Sequence, residues 1–197
     1  TNGDNYVGGS PPDPTGDDIV FDGVTQLTNT NDFVVAAPTD RLRLNGLTFA
    51  ATLGGPLTLN GNPFGVDALS GSAPRSIVQD SNFDVTVNAQ LVQEVRALNF
   101  TGTGTGKVIL AGGLEGDSVG SNASGNLQIA TTGDQFQISG AVTGTKQIRK
   151  NNTGSLTISG NNAAFTGGFN IQEGTLVVTN SNGLGSGPIT INLNKDA

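Results

Sequence analysis

The sequence contains no cysteine, histidine, methionine or tryptophan, and it has a single tyrosine. Without histidine or cysteine, a Ser-His-Asp triad or a Cys-His pair cannot form, and zinc, haem and iron–sulfur sites lose their usual ligands. Disulfide bonds are excluded as well. A chain without thiol or thioether sulfur resists oxidation, which suits an extracellular location. These absences favour a structural protein over an enzyme.

Charged residues are also scarce, at 13% of the chain, and they are unevenly distributed. Seven aspartates precede Arg41, which is the first basic residue, so the net charge of −7 comes from this N-terminal segment. Nucleic acid is not expected as a partner, because phosphate binding needs clustered lysine and arginine. No apolar run approaches the ~20 residues of a membrane span.

Residues 1–17 predict an acidic N-terminal arm that is rich in glycine and proline. Only Tyr6 and Val7 offer it apolar anchors. A segment with so little apolar surface does not fold by itself, so we expect it to dock on its own body or on a neighbouring copy. The chain begins with Thr1 rather than methionine, as expected if a leader has been removed.

Glycine is abundant, with 30 residues, and asparagine, threonine, serine and branched apolar residues fill most of the chain. This mixture is typical of short strands joined by tight turns. From residue 18 onward, pairs of apolar residues recur with one position between them, which places both side chains on one face of a strand. The pairs are Leu42/Leu44, Leu57/Leu59, Val85/Val87, Val108/Leu110, Leu127/Ile129, Phe136/Ile138, Leu156/Ile158, Phe169/Ile171, Leu176/Val178 and Ile189/Ile191.

One segment, residues 88–98, favours a helix as an alternative. Leu91, Val95 and Leu98 follow the i, i+4, i+7 spacing of a helical face. A short helix or a helical turn is therefore expected there as a competitor to a strand.

The second half of the chain shows a longer period of about 20 residues, a length typical of repeat architectures. Leu127, Ile148, Phe169 and Ile189 recur in step, and so do Phe136, Leu156 and Leu176. A solenoid keeps such a spacing because each coil presents the same strands to the next coil. The predicted fold is all-β, a parallel β-helix (β-solenoid) with about 20 residues per coil. Its coils are regular over 127–197 and less regular over 18–126, after the arm of 1–17.

The segment GSLTISGNNAAFTGGFNIQEGTLVVTNSNGLGSGPITIN, which starts at Gly154, resembles the autotransporter-associated β-strand repeat. The departures are Phe165 where tyrosine is usual, Phe169 where threonine is usual, and one extra residue near Ala163. The resemblance is specific over 127–194 and loose over 18–126. It implies a right-handed parallel β-helix in a secreted or surface protein, and the handedness rests on the resemblance alone.

A solenoid exposes an open edge at its end, and no polar C-terminal cap is visible in the sequence. We therefore expect copies of the chain to stack head to tail into an extracellular filament or coat. The expected assembly residues are Tyr6, Val7, Ile189, Ile191 and Leu193. The densest basic group, Lys146, Arg149 and Lys150, is a candidate dock for the acidic arm. The alternatives are a piece of a longer chain, or a monomeric adhesin or spacer module that binds surface or matrix glycans.

Candidate chemistry is sparse. The closest carboxylate pairs, Asp17/Asp18 and Asp80/Asp84, leave a polysaccharide-active β-helix as a third alternative. No cofactor is expected. A single calcium ion stays open as an alternative, because GGLEGDSVG (112–120) resembles one calcium-binding nonapeptide with Glu115 in place of a required glycine. Asp13, Asp17, Asp18 and Asp22 offer further oxygen ligands without the EF-hand spacing.

Overall fold

A computed structural model describes residues 16–33, 42–66, 75–93, 97–116 and 127–192. Within these ranges the chain forms β-strands and no helix. The strands are β1 (Asp17–Phe21), β2 (Thr28–Asn31), β3 (Leu42–Phe49), β4 (Leu57–Gly61), β5 (Phe64–Gly65), β6 (Arg75–Gln79), β7 (Val85–Val87), β8 (Leu91–Val92), β9 (Ala97–Thr101), β10 (Val108–Leu110), β11 (Leu114–Glu115), β12 (Leu127–Thr131), β13 (Phe136–Ile138), β14 (Val142–Thr143), β15 (Ile148–Asn151), β16 (Ser155–Ile158), β17 (Phe169–Ile171), β18 (Thr175–Val178) and β19 (Ile189–Ile191).

Every pairing between these strands is parallel, and the strands form three faces. Face A contains β1, β3, β6, β9, β12, β15, β17 and β19. Face B contains β2, β4, β7, β10, β13, β16 and β18. Face C contains the start of β3 with β5, β8, β11 and β14. This is the all-β solenoid predicted from the sequence.

The strand β3 shows how one coil turns a corner. Leu42 and Arg43 pair with β5 on face C, whereas Gly46–Phe49 pair with β6 on face A. Each coil then continues to face B and, in the coils up to β14, to a two-residue strand on face C. Faces A and C are therefore joined into one hydrogen-bonded sheet, and face B is a separate one.

The core consists of columns of apolar side chains that run from coil to coil. On face B, the strands β4, β7, β10, β13 and β16 each point two apolar residues inward, and the residue between them faces out. One column contains Leu57, Val85, Val108, Phe136 and Leu156, all at most 2% exposed. Aromatic rings also stack within the core, with a ring-centroid distance of 5.7 Å between Phe21 and Phe49. Neighbouring strands lie ~4.8 Å apart, which brings these side chains into contact.

The strand registers pair the residues that recur in the second half of the sequence. Leu127, Ile148, Phe169 and Ile189 are paired in succession on face A. Phe136, Leu156 and Leu176 are paired in succession on face B, at equal steps along the chain. Earlier coils contain more residues. The chain is longer between Leu57 and its partner Val85 than between Leu156 and its partner Leu176.

The helical alternative for 88–98 was wrong where the structure describes that segment. Leu91 belongs to β8 on face C, and Leu98 belongs to β9 on face A. The two leucines face inward from different sides of the coil, which reproduces a helical spacing by coincidence. At the N-terminus, β1 begins at Asp17, the last residue of the predicted arm. Tyr6 and Val7 lie outside the described residues.

Asn162 stands where a face C strand would continue beyond β14. Its Oδ1 accepts the backbone N–H of Val142 at 2.7 Å, and its Nδ2 donates to the carbonyl of Gly183 at 2.6 Å. Its own backbone N–H donates to the carbonyl of Asn182 at 3.2 Å. The side chain is 1% exposed. One buried amide thus links the coil before it with the coil after it.

Candidate functional site

The strands β18 and β19 form an open edge in the described part of the chain. The strand β18 pairs only with β16, and β19 pairs only with β17. Among the described strands, none pairs with the backbone N–H and C=O groups on their other side, which is the arrangement that can accept a further parallel strand. We call these two strands, Thr175–Val178 and Ile189–Ile191, the terminal edge.

The terminal edge exposes the apolar columns of the core. Ile189 is 51% exposed, although Phe169 directly beneath it is fully buried. Val178 is 36% exposed, whereas Ile158 beneath it is fully buried. Ile191 is 65% exposed. The edge thus combines unpaired backbone with apolar side chains that continue the core pattern.

The strands β1 and β2 are the outermost described strands at the opposite end of faces A and B. Each pairs on one side only, β1 with β3 and β2 with β4. Ile19, Phe21 and Leu27 pack against the core while staying partly exposed. The two ends therefore offer edges of the same two faces, with Ile19 and Phe21 on the inward side of β1, whereas β2 itself contains only threonine and asparagine.

The residues predicted to assemble fall in two groups. Ile189 and Ile191 lie at the terminal edge, with their side chains on its exposed core side. Tyr6, Val7 and Leu193 lie outside the described residues, so their role stays a prediction.

The basic group predicted as a dock does not form one surface. Lys150 points into the core and is fully buried, so its place in the predicted dock was wrong. Arg149 faces outward on face A, half-buried between Gln128 and Asn170 of the adjacent strands. Lys146 is half-buried in the turn before β15. A role for Lys146 and Arg149 in docking the arm stays a prediction.

The buried ammonium of Lys150 has three hydrogen-bond partners, all backbone carbonyls. Its Nζ donates to Asn151 at 2.8 Å, to Asn152 at 2.7 Å and to Glu173 at 3.2 Å. Burial lowers the pKa of Lys150 from its usual 10.5 to about 8, against the opposing effect of the Glu173 carboxylate. No sequence signal other than its i+2 spacing from Ile148 marks this lysine as internal.

The aspartates considered for catalysis cap backbone groups at a corner. Asp80 Oδ1 accepts the backbone N–H of Thr103 at 2.9 Å, and Asp84 Oδ1 accepts that of Lys107 at 2.8 Å. Asn82 lies between them and accepts from Thr105 at 3.2 Å. Three side chains at alternate positions thus hold the next coil, which gives them a structural role.

The calcium alternative needs a cluster of acidic side chains. Among the described residues, no group of three or more is placed to hold a metal. Leu114 and Glu115 form β11. Asp13 and residues 117–120 lie outside the described residues, so this part of the alternative stays untested.

Part of the chain matches a known repeat family. Residues 148–178 match the passenger-associated-transport-repeat family. The match begins at the first residue of β15 and ends at the last residue of β18, so it covers two successive strands of face A and two of face B. The resemblance noted in the sequence is confirmed over these residues. No curated protein and no solved structure gives a significant match to the chain.

The matched repeat suggests a passenger-associated repeat protein with an extracellular or surface location. In the described ranges, no helix is long and apolar enough to cross a membrane.

Proposed function

We propose that this chain is a structural, non-enzymatic part of an extracellular surface protein, and that copies stack head to tail through the terminal edge. The observation that carries the proposal is the exposure of Ile189 and Ile191 beside unpaired strand backbone. When another strand covers this edge, its apolar side chains are removed from water and its backbone groups are paired, so the contact is favourable.

A second copy is a suitable occupant because the opposite end belongs to the same two faces. The strand β1 of one copy can extend face A beyond β19 of its neighbour, and β2 can extend face B beyond β18. Such contact is heterologous, so it does not close and it generates filaments. Parallel pairing at the joint would repeat the pairing inside each copy.

The acidic arm provides a reason for the joint to be salt-sensitive. In a stacked pair, β1 of the second copy would lie three strand steps from Arg149 of the first, about 14 Å along the solenoid axis. A segment as long as the part of the arm before β1, about 15 residues, can span up to about 50 Å. The arm can therefore reach Arg149 across the joint, and carboxylate–guanidinium pairing would stabilise the stack at low salt.

The first experiment compares three proteins by light scattering after size exclusion and by negative-stain electron microscopy. We expect concentration-dependent filaments from the native chain and single particles from I189K/I191K, because two lysines on the core side of the edge would be buried in the joint. The matched control is T190K, which puts the same kind of charge on the outer side of β19 and should still assemble. Assembly of I189K/I191K at the native concentration would refute the joint.

A deletion tests the arm separately. Removal of residues 1–15 leaves β1 intact, and we expect it to weaken assembly and to reduce its salt dependence. Assembly that is unchanged in both respects would remove the arm from the mechanism while leaving the edge.

The family match favours a second candidate, a monomeric spacer of the passenger type that holds a binding surface away from the cell. Isolated rods at every concentration, together with saturable binding to cell-surface glycans, would establish this function in place of the filament.

A further inference from the structure

Lys150 is the one charged residue among the largest fully buried side chains of the described chain. It takes an inward position in a column between Ile129 and Ile171. An ammonium group placed among apolar side chains is unfavourable unless all of its N–H groups are hydrogen-bonded.

Three carbonyl oxygens meet that requirement. Asn151 at the end of β15 and Asn152 directly after it supply two carbonyls, and Glu173 supplies one from the corner of the next coil. An ammonium has three N–H donors, so each carbonyl takes one of them. All three partners are oxygens, which is the ligand set of a small cation.

The backbone of both corners is shaped around this group. Asn152 adopts a left-handed conformation with φ 61°, and Gly174 does so with φ 73°. A Cβ on Gly174 would lie 2.7 Å from the Lys150 Nζ. Glycine at this position therefore satisfies the turn and leaves room for the ammonium.

Another corner of the same solenoid uses a neutral group for the same purpose. The buried Gln79 donates to the carbonyl of Phe83 in its own corner at 3.0 Å and to that of Lys107 in the next coil at 3.3 Å. Its Oε1 accepts the backbone N–H of Ser81 at 3.3 Å. This corner offers a donor as well as acceptors, which suits an amide. The Lys150 corner offers acceptors only, which suits a cation.

We propose that the carbonyls of Asn151, Asn152 and Glu173 form a site for a small alkylammonium-type cation, that Lys150 occupies it from within, and that its occupancy joins the two coils of the passenger-associated-transport repeat. This inference is independent of head-to-tail assembly, because every group involved belongs to one copy.

Chemical rescue tests the site. The variant K150A should lose about 10 °C in melting temperature, because it leaves three carbonyls without their ammonium donor. Propylammonium chloride should restore a few degrees at about ten times its dissociation constant. Tetramethylammonium chloride at the same ionic strength should not, since it donates no N–H group.

The variant Q79A is the matched control, with a similar loss expected and no rescue by propylammonium. Equal rescue of both variants would show a general solvent effect and overturn the proposal. A K150M protein as stable as the native chain would overturn it as well, because the coils would then be joined without a cation.

A measurement on the folded native chain covers the case in which K150A does not fold. We expect a slowly exchanging ammonium signal in the ¹⁵N–¹H spectrum at neutral pH that disappears in K150R. An ammonium that exchanges as fast as those of exposed lysines would contradict the site.

Discussion

Lys150 shows that a charged side chain can belong to the interior of a solenoid. Its i+2 spacing from Ile148 is that of an inward side chain, but its charge led to the prediction of a surface dock with Lys146 and Arg149. The difference arises because carbonyl groups at two corners replace water around the ammonium. The sequence does not show where corner carbonyls point, so it could not predict this burial.

The pKa of Lys150 predicts how stability depends on pH. Because the folded-state pKa is about 8 and the usual value is 10.5, the unfolded chain binds more protons between these values. The free energy of unfolding should therefore rise as pH increases from 8 to 10.5. Urea unfolding of the native chain relative to K150M should show a gain of about 1–2 kcal/mol, after allowance for solvent screening. A difference that stays flat or falls across this window would contradict the assignment.

Asn162 stabilises the contact between successive coils through its side-chain amide. The change N162A leaves the Val142 N–H and the Gly183 carbonyl without their partner, at a cost of about 2–4 kcal/mol. The neighbouring N161A removes only a local bond to the Ala163 N–H at the surface, and its cost should stay below about 1 kcal/mol. Denaturant midpoints of the two variants measure the difference, and similar midpoints would show that Asn162 does not link the coils.

Among the strands, those with two inward apolar residues were predictable and the shortest were not. Leu156 and Ile158, for example, form an i, i+2 pair that marks β16 and its register. The strands β5, β8, β11 and β14 of face C have two residues each and point one apolar side chain inward, as Leu91 does in β8. A single inward residue carries no period, so face C could not be predicted from the sequence.

The corner between β9 and β10 packs closely against the corner of the preceding coil. Residues 102–107 pass directly over the corner that contains Asp80 and Asp84, and a Cβ on Gly106 would overlap the backbone carbonyl of Phe83. The change G106A should destabilise the protein by about 2–3 kcal/mol, because two backbones must move apart. The adjacent T105A removes one exposed hydroxyl contact and should cost under about 1 kcal/mol. Thermal melts would contradict the close contact if G106A were the milder change.

Across the whole molecule, burial decreases toward the terminal edge. Val108 and Leu156 are fully buried in the face B column, whereas Ile189 and Ile191 on face A are more than half exposed. Strands with fewer buried contacts open more easily. Backbone amides of β19 should therefore exchange with deuterium faster than those of β10 in dilute protein.

The same exchange measurement at high protein concentration links stability to assembly. If copies stack at the terminal edge, protection of β19 should rise with concentration while protection of β10 stays constant. Equal protection at all concentrations would argue for an edge that remains uncovered.

The registers also describe how such a chain can grow. Each paired strand lies a single coil away from its partner along the chain, as in the steps from Leu156 to Leu176 and from Phe100 to Thr131. The entropy lost on closing a loop depends on the length of that loop, so each new coil costs about the same however many coils precede it. A solenoid of this kind can therefore fold progressively, one turn at a time, with the last finished turn as the template for the next.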